Sequence, residues 1–466
     1  MASHLLRQAL IFTLAMSACA GSPAEELLPL PPIEGLTAAP DLDPAEDVVE
    51  VHLTASTTSV SWADGPTTEA WAYNGEVPGP LVQARVGDTL VVQFTNDLPE
   101  PTTIHWHGLR VPDAMDGVPA IQDPVQPGET FRYEFVLPDA GTFWYHPHVR
   151  AHEQVERGLQ GMLVVHEREP LQDVVQRGFV LDDALIDESG SWYTFDVDNS
   201  HPLQMMGRNG NTLLVNGGSD AVQATLTPGV AERWRLVNTA NARTLWAEVR
   251  GANWRVIGVD GGRIATPYTT ERVRLPVGRR FDLEVIPTGR DEEVALDVVL
   301  PNRSGGWDRY PMFEASLDWT APGTGQSLDW PTVDTSGRPE VRQEIVLDFD
   351  GRGGGANIEW TINGRIWGQH DALEVEADTP TRIVLRDGSR TQHPFHLHGQ
   401  FFEIVGRDGQ AVDEPGQFDT VLLTGDDEVE LFSMMDNPGR WMAHCHILEH
   451  AERGMMTEVV VGPSTE

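Results

Sequence analysis

A short pattern ending in Asn-Gly occurs three times in this chain, at intervals of about 145 residues: Ala72-Tyr73-Asn74-Gly75, Leu214-Val215-Asn216-Gly217 and Thr361-Ile362-Asn363-Gly364. Each copy is followed by a strand-like run ending in a polar turn, from Val91 to Asn96, Arg233 to Asn238 and Arg382 to Asp387. One Asn-Gly is a common turn signal, but three evenly spaced copies define a repeat. Runs such as Thr89-Leu90-Val91-Val92-Gln93-Phe94 and Thr130-Phe131-Arg132-Tyr133-Glu134-Phe135 alternate in the manner of half-buried strands. No long stretch has helical period. The pattern predicts an all-β chain of three sandwich or barrel domains, over 47–170, 171–335 and 336–466. Pro322 to Gly337, rich in Pro, Gly, Thr and Ser, is the expected linker.

Residues 1–20 read as a signal peptide: His4 and Arg7 make a weakly basic start, and Ala9 to Met16 is too short to span a bilayer. The protein is therefore expected to be exported, to a periplasmic or extracellular location. Ala18-Cys19-Ala20 fits ordinary cleavage, while Met16-Ser17-Ala18-Cys19 resembles a lipobox, so a lipid anchor at Cys19 is the one membrane attachment expected. Residues 21–46, rich in Pro, Ala, Glu and Asp, suit a flexible tether or an extended arm. Acidic residues number 71 against 32 basic ones, all of them Arg, and the net charge of −39 excludes a nucleic-acid partner. A monomer is expected.

Chemistry concentrates in the histidines. Ten of the 16 fall in four clusters: His105-Trp106-His107-Gly108, His146-Pro147-His148, His393-Pro394-Phe395-His396-Leu397-His398-Gly399 and His444-Cys445-His446-Ile447-Leu448-Glu449-His450. The other six read as surface or structural residues. Residues i and i+2 of a strand share a face, so each of the pairs 105/107, 146/148, 396/398 and 444/446 can aim two imidazoles at one point. Two pairs lie in the first domain and two in the third, which places the site where those domains meet. Cys445 points away from His444 and His446. With His393 and His450 it forms a Cys-His₂ set, with Met455 or Met456 within reach as a weak axial ligand. That is the recipe of a blue-copper electron-transfer centre. Zinc accepts imidazoles but gains nothing from such a centre.

In order along the chain, His-x-His-Gly, His-x-His, His-Pro-x-His-x-His and His-Cys-His-x₃-His-x₄-Met resemble the four copper signatures of the multicopper oxidases, in particular the three-domain bacterial laccase group. The resemblance covers about 47 to 466. It implies three cupredoxin-like Greek-key domains and four coppers per chain. The type 1 copper would take His393, Cys445, His450 and, by the family's spacing, Met455. The type 2 copper would take His105 and His396, and the type 3 pair His107, His146, His148, His398, His444 and His446. Substrate electrons would arrive one at a time at the His450 edge and pass through Cys445 to the neighbouring cluster, on the order of 10 Å away. There O₂ would be reduced to water. The resemblance also places Asp116, in the Asp-Gly turn, near the type 2 copper as a proton donor. One departure stands out: many bacterial relatives carry an acid directly after the last type 1 histidine, where this chain has Ala451 followed by Glu452.

The expected substrates are phenols and aromatic amines. The rival is oxidation of cuprous, ferrous or manganous ions. Cuprous oxidases of the family carry a methionine-rich insert in the third domain, which is missing here. The doublets Met205-Met206 and Met434-Met435 read as core or loop residues. Asp419 matches, through the resemblance, an Asp that binds substrate copper, but Val421 stands where a Met would accompany it. Copper nitrite reductases lack the His pairs, and a non-catalytic cupredoxin-repeat protein would have lost ligands.

Overall fold

The computed structural model describes residues 29–462, apart from 63–64, 172, 290–292, 331–332, 334–336 and 354–356. The expected leader, with Cys19, and the boundary at 335 lie outside these residues. Strands dominate, and their side chains alternate as the sequence requires: along Val48–Val60, Val49, Val51, Leu53 and Ala55 are buried. In the first domain a sheet containing Val48–Val60 and Thr89–Asn96 meets a second of order Gly79–Arg85, Gly161–His166, Gly141–His146, His105–His107. Their apolar faces share one core that includes Leu53, Phe94, Val82 and Leu163. The second domain sets a seven-stranded sheet, with Glu232–Asn238 and Arg280–Pro287 at its centre, against a five-stranded one. The third pairs a six-stranded sheet with a five-stranded sheet of order Leu373–Glu376, Met456–Gly462, Gly439–Cys445, Gln392–Leu397, Thr420–Thr424. Among the described residues the helices are short, and none is long and apolar enough to cross a membrane.

The threefold repeat is a repeated clip. Asn74, Asn216 and Asn363 have φ of 55°, 48° and 52°, and the glycines after them 77°, 79° and 72°. Two successive left-handed residues make the tight turn that Asn-Gly favours. Each Asn Oδ1 accepts the N–H of a neighbouring strand, from Thr54 (2.7 Å), Val180 (2.8 Å) and Asp348 (2.8 Å). Each Nδ2 donates to the carbonyl two residues earlier on that strand, at His52, Gly178 and Val346.

Two segments join the domains. Of the residues expected as a flexible tether or an extended arm, 33 to 38 form an ordered arm. Ile33–Glu34 lies parallel to Gln176 and Arg177, and Ile33 is buried among Leu81, Trp144, Met162 and Val180 of the first two domains. Deeper in, Arg233 and Arg235 of the buried strand Glu232–Asn238 share Asp282, whose Oδ1 accepts the Thr142 hydroxyl of the first domain at 2.6 Å. Guanidinium forks serve here because they satisfy two acceptors at once. The linker meets its neighbours at Glu284, which accepts the Leu328 N–H at 3.0 Å and Trp330 Nε1 at 2.6 Å.

Replacing Ile33 with Asp sets a carboxylate against this apolar seam and removes about 2 kcal/mol of burial. The variant should show a lower thermal midpoint by calorimetry and faster proteolytic cleavage around residues 35–45. An unchanged melt would mean that the arm adds nothing to stability.

Candidate metal centre

Strand pairing builds the site. His105–His107 runs antiparallel to Gly141–His146, with His105 opposite His146. Gln392–Leu397 runs antiparallel to Gly439–Cys445, with His396 opposite His444 and Phe395 opposite Cys445. His148, His398 and His446 lie just past the ends of their strands. All eight imidazoles converge between the first and third domains, and all but the half-buried His148 are fully buried. They form three adjoining groups, each with ligand atoms within 4.8 Å of one another: His105, His107, His396; His107, His146, His446; and His148, His398, His444. The eight rings converge as the strand parity allows, and the pairs are shared out among the groups. The members of pairs 146/148, 396/398 and 444/446 divide between different groups, because the second histidine of each lies where its strand has already turned.

The hydrogen bonding of these rings points to a cation. His105 Nδ1 donates to the Asp116 carbonyl (2.9 Å), His396 Nδ1 to the Asp419 carbonyl (2.9 Å) and His146 Nδ1 to the Pro147 carbonyl (2.9 Å). The opposite Nε2 atoms of all three are buried without a hydrogen-bond partner. His444 Nδ1 donates to the Cys445 carbonyl (2.8 Å) and His398 Nδ1 to the Asp116 carboxylate (2.7 Å), so the two Nε2 lone pairs face each other at 3.0 Å. Buried acceptors without donors are costly, and a metal ion is the partner that suits them. Burial also drives the pKa of nine of the ten clustered histidines down, to about 3 at His393 and His444, which leaves the rings neutral and ready to ligate.

Cys445, His393 and His450 form the second centre. Cys445 Sγ is 3.5 Å from His393 Nδ1 and 3.7 Å from His450 Nδ1, and the two nitrogens are 3.3 Å apart. The middle of that triangle is about 2 Å from each corner, a first-row metal–ligand distance. His393 Nε2 donates to Ser389 Oγ (2.7 Å) and Thr391 Oγ1 (2.9 Å), and His450 Nε2 to the Met205 carbonyl (3.4 Å), which turns both Nδ1 atoms toward the sulfur. Burial pushes the Cys445 thiol up, so a metal is what would stabilise its thiolate. Met455 is fully buried and its carbonyl accepts the Cys445 N–H at 3.1 Å, whereas Met456 is half-buried on the strand opposite His444.

Asp116 is fully buried between His105 and His398. Asp419 is a correction. Instead of facing the Cys445 centre as a substrate-metal ligand, it lies in the eight-histidine cluster. Its Oδ1 accepts from His107 Nε2 at 3.1 Å, and its carboxylate is gripped by Arg280 of the second domain. Burial alone would raise the Asp419 pKa, but the charge and hydrogen bonds of Arg280 outweigh it and hold the carboxyl well below its usual range. Arg280 went unnoticed in the sequence, where only an Arg-Arg pair at the start of an apolar strand marks it. Gly108 lets this pair come close: its φ is +89°, and a Cβ there would lie 2.4 Å from Arg280 Nη2. Ala451 is buried, and Glu452 beside it faces His152 at 3.3 Å. The Met doublets differ: Met435 is core, whereas Met206 is 61% exposed and lines, with Met205, a pocket of about 420 Å³ next to the His450 centre.

Three adjoining imidazole groups, joined by one peptide chain to a Cys-His₂ set, define a protein built to hold several redox metals together. Sequence comparison agrees: models described as multicopper oxidase match residues 54–170, 183–290 and 339–465. The chain belongs to the multicopper oxidase family and has its three cupredoxin-like domains. A multi-copper oxidase from Pseudomonas thermotolerans is 31% identical, with a TM-score of 0.78 over 90% of this chain and 100% of that one. A multicopper oxidase from Campylobacter jejuni, described as a metallo-oxidase, is 26% identical, with a TM-score of 0.80 over 94% and 96%. A laccase-like enzyme from Ochrobactrum sp., described as having oxidase activity towards lignin model compounds and lignosulfonate, is 27% identical, with a TM-score of 0.78 over 92% and 100%.

Gly108→Ala should push the Arg280–Asp419 pair off His107. Copper bound per chain should fall, and the melting temperature should fall by several degrees. Full copper loading of the variant would show that this pair does not hold the cluster.

Proposed function

We propose that this chain binds four coppers and couples one-electron oxidation of phenols and aromatic amines to four-electron reduction of O₂ to water. His393, Cys445 and His450, with Met455 as the axial ligand, would hold the type 1 copper, His105 and His396 the type 2 copper, and the other six clustered histidines the type 3 pair. Bound copper supplies one-electron storage and the reduction of oxygen. The protein supplies the path and the protons. Cys445 sits between His444 and His446 in sequence, so its side chain is linked to both through the backbone alone. Asp116 accepts His105 Nδ1 through its carbonyl and His398 Nδ1 through Oδ2, and its Oδ1 lies 3.2 Å from His105 Nδ1, so the carboxyl group would be the proton carrier next to the cluster. Residues 1–20 we read as an export leader, so the enzyme would act outside the cytoplasm, as a monomer.

The observation that supports the organic-substrate reading is the pocket lined by Met205, which hydrogen-bonds His450, with Trp246, Leu300, Pro301 and Ile447 among its walls. Apolar and aromatic walls suit a ring and not a hydrated ion. A second reading, oxidation of cuprous ion, draws support from the Met205 and Met206 thioethers in the same pocket and from the similarity to the Campylobacter metallo-oxidase.

Reconstituted protein should bind four coppers per chain, show the blue type 1 absorption and consume O₂ with dimethoxyphenol. Cys445→Ser should abolish the colour and nearly all turnover. O₂ uptake with Cu(I) or Fe(II) but with no phenol would reverse the order of the two readings, and fewer than three coppers per chain would end both.

A further inference from the structure

The pocket beside His450 runs against the charge of the chain. Acidic residues outnumber basic ones 71 to 32, yet the lining of this pocket contains two arginines and no carboxylate. Arg243 is neutralised by the buried Asp183 beneath it. Arg390 is exposed and has no ion-pair or hydrogen-bond partner among the described residues, unlike most arginines of this protein. A guanidinium left unpaired in so acidic a molecule is a recognition group for an anion.

Its position relative to the redox centre gives the anion a shape. Arg390 and Gln392 flank Thr391, whose hydroxyl bonds His393, and Ile447 begins the turn that leads into the short helix Leu448–Glu452 bearing His450. Met205 lines the pocket, and its carbonyl takes the outward-facing Nε2 of His450. The half-buried Trp246 adds an aromatic wall, held edge-on to Trp307 with ring centres 5.3 Å apart. The pocket thus combines apolar walls with one unpaired cation, and it reaches Met205 and Thr391, which hydrogen-bond His450 and His393 respectively.

We propose that the preferred reductants are phenols bearing a carboxylate, of the hydroxybenzoate and hydroxycinnamate type, with the carboxylate on Arg390 and the ring against the apolar walls. This deepens the organic-substrate reading above and rests on it. Each phenol gives up one electron and one proton to become a phenoxyl radical, and four of them convert one O₂ to two waters. Arg390 takes no part in that chemistry. It selects and orients the substrate, and its positive charge disfavours a metal cation in the same pocket.

The test compares ferulate with its methyl ester, which differ in charge at one end only. In the wild type the acid should have the lower KM. Arg390→Gln should raise KM for the acid about tenfold relative to the ester, as expected for loss of one charge-assisted contact, and Arg390→Glu should raise it further. A ratio of acid to ester KM that stays the same in both variants overturns the proposal. A second measurement does not depend on turnover: para-methoxybenzoate, which has no phenolic hydroxyl, should bind the copper-loaded wild type in calorimetry and bind Arg390→Gln about tenfold more weakly. If the enzyme oxidises only metal ions, the organic-substrate reading fails. If it oxidises phenols but methoxybenzoate binds both proteins equally, the carboxylate assignment alone fails.

Discussion

Imidazoles can be buried together only if every ring nitrogen has a defined partner. The fold meets this demand by fixing one nitrogen of most rings and leaving the other to face the metal site. Backbone carbonyls of Asp116, Pro147, Asp419 and Cys445 take four of the Nδ1 protons, and the Asp116 and Asp419 carboxylates take those of His398 Nδ1 and His107 Nε2. Because these acceptors belong to strands and tight turns, the direction of each free lone pair is set by the sheets and not by side-chain freedom. For four of the rings, tautomer choice is therefore a property of the backbone. This explains why the site is spread over four strand ends: a strand end frees a carbonyl from the ladder and turns it toward a ring.

The middle domain provides none of the clustered histidines, yet both centres lean on it. Arg280 neutralises Asp419 beside His107 and His396, and Gly278 leaves room for the His107 ring, which a Cβ would approach to 2.8 Å. On the other side, the short helix His201–Met206 closes over His450. The Met205 carbonyl orients its imidazole, and the Gln204 carbonyl accepts Trp360 Nε1 at 2.7 Å, while the Trp360 ring stacks on His450 with centres 4.2 Å apart. A buried Arg–Asp pair contributes little net stability in its own right. Its value here is positional, since it fixes the charge next to a cluster of neutral ligands.

Much of this was legible in the sequence because it is local. Strand alternation and evenly spaced Asn-Gly turns gave the fold class and the threefold repeat, and the clustered histidines with Cys445 named the groups that converge. What escaped was long-range. The division of three of the four His-x-His pairs among the groups depends on where strands end, and the Asp419–Arg280 contact spans 139 residues. The misreading of Asp419 came from matching a short motif without knowing which face of the sheet it occupies. The arm at Ile33 was hidden by a composition that suits solvent as well as a sheet edge.

One consequence follows from the order of the ligands along the chain. The first pair lies at His105 and His107 in the first domain and the last at His444 and His446 in the third. A nascent chain emerges from its N-terminus and domains tend to fold as they appear, so the first two domains can be complete while the third is still being made. Without the third domain, each of the three imidazole groups lacks at least one member, and Cys445 is missing as well. The three imidazole groups therefore form only when the third domain docks on the first, so they depend on the assembly of domains and not on the folding of any one of them.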